Sequence, residues 1–335
     1  MTLCSAWIRE KGDIEELVFA TDSTLTGGEK WNQGVKLFEL PRSDCLLCFA
    51  GSTNRAYPLI LNLISSIKLN KRLRSPHTDV AEVLDYISTT FTSLVETVVK
   101  EIATDDIHRL RAEAKFLFGG WSWLQSRFRI WKLYYSQDAE GFVFQDFTND
   151  PSKARKYAFL GDPVGEDIDI EKMAGTRLRE LFNDDERFDD KLDLEPLRIL
   201  IDICRDSAIR PVDGAIQVAK VYKSGSSEFF GVYWPSIDGR PFFQGREFTV
   251  HNKPEARYID PDTLEVVEDQ LPVRISELST LESVYDFEFI KTCYSEEGYL
   301  VNNLSTANRE RLISVLREIA YITFVKRIEG REANQ

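Results

Sequence analysis

Thr2 is the residue of this chain whose position gives it the most chemistry. A threonine hydroxyl is a poor nucleophile by itself. Once Met1 is removed, Thr2 carries both that hydroxyl and a free α-amine with an ordinary pKa of about 7.7–8.0, so one residue holds nucleophile and base. Such a residue needs a cation to stabilise the developing alkoxide and keep the amine unprotonated. It also needs a carboxylate to fix the cation and a backbone N–H for the oxyanion. The opening residues supply each part in order: Asp22 in Ala20-Thr21-Asp22-Ser23-Thr24, Lys36 in Val35-Lys36-Leu37-Phe38, and Gly51 in Phe49-Ala50-Gly51-Ser52. Singly, each has a plain structural use: Asp22 caps a turn, Lys36 snorkels from a strand, and Gly51 ends one. In conjunction they point to a hydroxyl nucleophile whose base is its own α-amine.

Other chemistries have less material. The only histidines, His77, His108 and His251, sit in polar settings, which leaves little from which to build a Ser-His-Asp or Cys-His site. Cys45-x-x-Cys48 lies in an apolar strand-like run with no second Cys or His pair at zinc-ribbon spacing. Residues three apart on a strand face opposite ways, so these thiols are expected in the core. With Cys4, Cys204 and Cys293 they form an odd, irregular set, as reduced cytosolic thiols do. No cofactor and no metal is expected. Lys and Arg total 42 against 55 Asp and Glu, a net charge of −13 that disfavours nucleic acid and anionic lipid as partners. Apolar runs such as Cys45 to Ala50 are far shorter than the roughly 20 residues of a membrane span. Arg9, Glu10 and Lys11 stand where a secretory signal would be apolar, so a cytoplasmic protein is expected.

The elements that must position these groups can be read from patterning. Leu3 to Ile8 and Leu17 to Ala20 form a first hairpin, followed by strands at Val35 to Leu40 and Cys45 to Ala50. Ser52 or Thr53 caps a helix to about Asn70, and Thr78 or Asp79 caps a longer one carrying Val80, Val83, Leu84, Ile87, Phe91, Leu94, Val95, Val98 and Ile102 at helical spacing. Strands return at Phe116 to Phe118, Phe128 to Tyr135, Phe142 to Phe147 and Tyr157 to Leu160. Helices follow at Ile170 to Phe182, within an acidic insertion of about 162–193, and at Leu194 to Cys204, then strands at Gly214 to Tyr222 and Phe229 to Trp234. This alternation predicts an α+β, four-layer αββα sandwich of two antiparallel sheets over residues 2–235. The 335 residues, 43% hydrophobic and 29% charged, suffice for about two domains or one large one. Residues 236–335 read as an appended C-terminal α+β module ending in an amphipathic helix with Leu312, Ile313, Val315, Leu316, Ile319, Ala320 and Val325.

The run from Thr2 through Gly51 resembles the start of a proteasome β subunit. The resemblance rests on the N-terminal Thr, the segment Asp22-Ser23-Thr24-Leu25-Thr26-Gly27-Gly28, the Lys36-Leu37-Phe38 strand and the Ala50-Gly51-Ser52 turn. Bacterial proteasome-type and ancestral β-subunit-like peptidases share these features. Phe116-Leu117-Phe118-Gly119-Gly120 and Arg205-Asp206-Ser207 extend the likeness to about residue 225. The resemblance implies an N-terminal-nucleophile (Ntn) hydrolase fold and a threonine peptidase acting on peptide or protein substrates. It assigns Thr2 as nucleophile, Lys36 as the group that lowers the hydroxyl pKa, and Asp22 as its orienting carboxylate. Gly51 becomes the oxyanion donor, and Asp206 the support of the Thr2 amine. Where the family has a Gly-Ser-Gly turn, this chain reads Leu160-Gly161-Asp162-Pro163. The resemblance also implies subunit association, and the added module points to a small homo-oligomer in place of a stacked-ring barrel. The alternative is a catalytically silent scaffold whose partner contacts run through the C-terminal module.

Overall fold

The computed structural model describes the chain except for residues 1, 27–28, 99–105, 150–155, 165–167, 185–190, 208, 210–211, 250–252, 268–286, 297, 302 and 333–335. The described residues fall into two compact units, 1–267 and 268–335.

The first unit opens with strands β1 (Leu3–Lys11), β2 (Ile14–Thr21), β3 (Leu25–Thr26), β4 (Lys30–Trp31), β5 (Leu37–Glu39) and β6 (Cys45–Gly51). Helices α1 (Thr53–Leu69), α2 (Lys71–Arg74), α3 (Val80–Glu96) and α4 (Ile107–Arg111) follow. Strands β7 (Ala114–Ser122), β8 (Arg127–Ser136), β9 (Gly141–Asp146), β10 (Tyr157–Gly161), β11 (Pro163–Val164) and β12 (Ile168–Asp169) lead to helices α5 (Ile170–Asp184) and α6 (Glu195–Arg205). The unit closes with β13 (Gln217–Tyr222), β14 (Ser227–Trp234), β15 (Arg240–Phe243), β16 (Arg246–Glu247), β17 (Tyr258–Ile259) and β18 (Val266–Val267).

These strands form two main sheets. One runs β5-β6-β7-β8-β9 and is antiparallel throughout. The other runs β10-β1-β2-β13-β14-β15-β16, with β17 joining β14 and β18 joining β17, so strands after residue 235 continue it. All of its pairings are antiparallel except β14 with β17.

The near-continuous apolar sequence of the central strands follows from burial on both faces. A strand turns alternate side chains to opposite faces. In β1, Leu3 and Trp7 enter one core with helices α5 and α6, whereas Cys4, Ala6 and Ile8 enter a second. β2 divides in the same way, Val18 and Ala20 against Leu17 and Phe19. That second core also receives Leu46, Cys48 and Ala50 of β6, Leu117 of β7 and Ile130 of β8, so side chains of the two sheets meet there. The opposite faces of β6, β7 and β8 give Cys45, Leu47, Phe49, Phe116, Phe118, Trp131 and Leu133 to a third core with α1 and α3. Phe19 is wholly buried where the sheets meet. Phe19→Ala is expected to cost about 3–5 kcal/mol, read as a lowered midpoint in denaturant unfolding.

The helix signals translate into specific caps. Asp79 accepts from the Ala81 N–H at 3.0 Å and closes a capping box with Glu82, and Val80, Val83, Leu84, Ile87, Phe91 and Val95 form the buried stripe behind it. The helix is shorter than its apolar periodicity suggests. It ends at Glu96, where the Thr97 N–H closes on the Leu94 and Val95 carbonyls and the Thr97 hydroxyl donates to the Leu94 carbonyl. Val98 lies beyond that cap but still packs on the core, and Ile102 is outside the described residues.

In the second unit, α7 (Phe287–Thr292) and α8 (Thr306–Glu332) share a small core of Ile290, Cys293, Tyr294, Leu312 and Ile319, with Val315 and Leu316 against it. The apolar stripe of the terminal helix is thus covered in part by its neighbours in sequence. The side chains of Ala320 and Val325 lie outside the described residues.

Candidate active site

Thr2 immediately precedes β1, whose pairing sets Cys4 opposite Thr21 and brings the residue after β2 to the start of the chain. That residue is Asp22. Its Oδ1 accepts from the Leu3 N–H at 3.0 Å and its Oδ2 from the Thr24 N–H at 3.2 Å. Lys36, one residue ahead of β5, extends its Nζ to 2.8 Å from Asp22 Oδ2 and 2.8 Å from Thr2 Oγ1. Asp22 and Lys36 have no solvent exposure, and Thr2 has 2%. Burial raises the Asp22 carboxyl above the usual carboxylate range, opposed by the Lys36 ammonium and the Leu3 N–H.

This geometry gives the three groups separate tasks. The ammonium donates to the threonine oxygen, so negative charge that develops there meets a cation across one hydrogen bond. Asp22, held by two backbone N–H groups, fixes the direction of Lys36 and compensates its charge in a dry site. Met1 is outside the described residues.

Gly51 ends β6 with φ +109°, and a Cβ built there would lie 2.0 Å from the Glu113 carbonyl oxygen. Only glycine accepts this backbone, which directs the Gly51 N–H. The acceptor is Asp162 Oδ2, at 3.1 Å. Asp162 follows β10, whose register pairs Leu3 with Gly161, and its own N–H donates to the Thr2 carbonyl at 3.3 Å. Asp162 therefore joins Gly51 to Thr2. Burial raises its carboxyl, and the Gly51 N–H is among the groups that oppose the rise. Asp206 has a different setting. It caps the C-terminus of α6 and pairs with Arg177 Nη2 at 3.2 Å, both side chains being 32% exposed.

Two participants escape motif reading. Asp162 stands out in the sequence only as a departure from the family turn. Gln217, at the start of β13, is the other. Its Oε1 accepts from the N–H groups of Lys36 and Leu37 at 3.0 and 3.2 Å, and its Nε2 donates to the Gly34 carbonyl at 2.7 Å. The signal that could have found it is a lone amide in the apolar run Ala215-Ile216-Gln217-Val218-Ala219, where a buried polar group must have partners. Gln217→Leu strands these backbone groups and loosens the segment carrying Lys36. It is expected to cost about 1–3 kcal/mol, read as a lowered midpoint in denaturant unfolding.

Cys45 and Cys48 lie on opposite faces of β6, one in each core, and burial raises both thiols well above the usual range. Among the described residues no group of three or more His, Cys, Asp or Glu side chains could hold a metal ion. No described helix is long and apolar enough to cross a membrane.

No protein-family model matches the chain, and no curated protein matches it. Among solved structures it is similar to the Anbu complex of Pseudomonas aeruginosa, a helical assembly, at 19% identity and TM-score 0.48, over 68% of this chain and 85% of the other. It is also similar to the Anbu Gly-1 mutant of Hyphomicrobium sp. strain MC1, at 14% identity and TM-score 0.43, over 68% and 84%. Likeness at this level establishes neither a family nor an activity. The proteasome β-subunit assignment suggested by the opening motifs is corrected: no family model matches the chain, and the solved structures it is similar to are Anbu complexes.

Proposed function

We propose that this protein is an N-terminal threonine amidohydrolase that cleaves amide bonds of peptides or proteins. In this reading Met1 is removed, the Thr2 hydroxyl attacks the carbonyl carbon, and its proton passes to the Thr2 α-amine. The amine returns the proton to the leaving nitrogen as the acyl-enzyme forms, and water then releases the acid and regenerates Thr2. Lys36 stabilises the threonine oxygen as it sheds its proton, Asp22 orients Lys36, and the Gly51 N–H receives the oxyanion.

The observation that carries this reading is the wholly buried Lys36 ammonium, 2.8 Å from both Thr2 Oγ1 and Asp22 Oδ2. Burying a cation and a carboxylate is costly, and packed apolar side chains would serve stability as well or better. A buried ammonium directed at a hydroxyl oxygen at the start of the chain is accounted for by its chemistry.

The proposal extends to the architecture and setting. The three cores of the first unit support a four-layer αββα arrangement, with α1 and α3 outside one sheet and α5 and α6 outside the other. We place the protein in the cytoplasm as a small homo-oligomer. A second reading, a catalytically silent scaffold or partner-binding subunit, is favoured by one observation: the Gly51 N–H is already taken by Asp162. Intact mass and N-terminal sequencing of the purified protein separate the two. The hydrolase reading expects a chain that starts at Thr2, and a retained Met1 contradicts it, because the amine that must act as base would then be an amide.

A further inference from the structure

The one N–H assigned to the oxyanion has an occupant from the protein itself. Asp162 Oδ2 accepts from Gly51 N at 3.1 Å while the Asp162 backbone N–H holds the Thr2 carbonyl at 3.3 Å. The carboxylate is thus anchored beside the nucleophile by its own main chain, and its oxygen sits where an acyl oxygen would have to sit to use the Gly51 donor. A carboxylate oxygen resembles the oxyanion in charge, and hydrogen bonds to charged acceptors are the stronger class. The two acceptors compete for one proton. Gly51 cannot turn to offer it elsewhere, since its backbone is wedged against the Glu113 carbonyl and the next N–H, from Ser52, donates to that same carbonyl at 2.8 Å.

We propose that Asp162 is a specificity-determining gate, an internal competitor for the oxyanion position that an incoming acyl group must displace before Thr2 can react. The inference rests on the hydrolase reading above. The gate favours substrates whose remaining contacts hold the acyl group firmly enough to dislodge the side chain, and it disfavours small or weakly held amides. Displacement is a side-chain rotation: the Asp162 N–H can keep its bond to Thr2 while the carboxylate turns away from Gly51. No chemistry passes through Asp162 itself, so its removal leaves the Thr2, Lys36 and Asp22 contacts in place.

The test uses the full-length protein and a peptide epoxyketone, whose ketone is attacked by the threonine hydroxyl and whose new oxyanion needs the Gly51 N–H. Labelling is followed by intact mass for wild type, Asp162→Ala and Asp162→Asn. Losing a charged competitor for one hydrogen bond should accelerate labelling of the Ala variant roughly ten- to a hundredfold. The Asn variant keeps the side-chain shape with a neutral acceptor. It should label faster than wild type and more slowly than Ala, and it serves if Asp162→Ala fails to fold. The Gly51 amide proton should also move upfield in Asp162→Ala, as expected when a carboxylate acceptor is lost. Wild type labelling as fast as or faster than both variants overturns the gate and leaves the hydrolase reading standing. Absence of labelling in all three proteins overturns the hydrolase reading and the gate with it.

Discussion

Thr2→Ala is expected to reduce hydrolysis at least about a thousandfold while leaving the fold intact. The substitution removes the only atom proposed to form the acyl bond, and loss of a nucleophile leaves little beyond binding to accelerate the reaction. Its structural cost is small. Thr2 Oγ1 makes one hydrogen bond with Lys36 Nζ, which retains Asp22 as a partner, so unfolding free energy should change by no more than about 1 kcal/mol. Thr2→Ser keeps the hydroxyl and should retain measurable turnover. Both effects are read on one preparation, turnover on a peptide amide and denaturant unfolding. A Thr2→Ala protein hydrolysing at the wild-type rate would remove the assignment.

Lys36→Met has the other large effect, and it combines chemistry with stability. Methionine matches the length of the lysine stem but removes the ammonium from both Thr2 and Asp22. Turnover should fall at least about a thousandfold, since the hydroxyl loses its neighbouring cation. Stability should fall by about 3–5 kcal/mol at neutral pH, because Asp22 is left buried without its counter-charge. The pH dependence follows. Burial already raises the Asp22 carboxyl, and removing Lys36 takes away the largest force opposing that rise. With its folded-state pKa raised, the variant binds more protons folded than unfolded, so its stability falls as pH rises from the ordinary carboxylate range of about 4. The deficit relative to wild type should therefore be smallest in acid and grow towards neutrality. Lys36→Met with Asp22→Asn should recover much of the stability and none of the activity. A single variant equally stable at every pH would contradict the buried ion pair.

The legible parts of the fold are those with enough residues to show a period or a cap. Leu3 to Ile8, with Ser5 its one polar residue, and Cys45 to Ala50 read as strands because apolar residues stand at consecutive positions, and burial on both faces is the reason. Thr78 or Asp79 marks the start of α3 because a cap is local chemistry, and Asp79 is the residue that caps it. The end of α3 is not legible, since Val98 continues the apolar spacing after the backbone has turned away. Strands β15 to β18, two to four residues each, are too short for a period, so the continuation of a sheet past residue 235 has no sequence signal. The site divides in the same way. Thr2, Asp22 and Lys36 meet through two neighbouring connections in the first forty residues, and their order was enough to group them. The contact of Asp162 with Gly51 spans 111 residues and joins the ends of strands in different sheets, a placement that no local pattern encodes.

The central claim is that one residue supplies both nucleophile and base. A peptide epoxyketone tests it directly, because a stable ring adduct requires a hydroxyl and an amine from the same residue. The protein would be treated with the probe, digested, and the modified peptide located by tandem mass spectrometry. The account predicts a single adduct on a peptide that begins at Thr2, with both its oxygen and its nitrogen in the ring, and no adduct in Thr2→Ala. An unmodified peptide that still begins with Met1, or an adduct on any other residue, would contradict it.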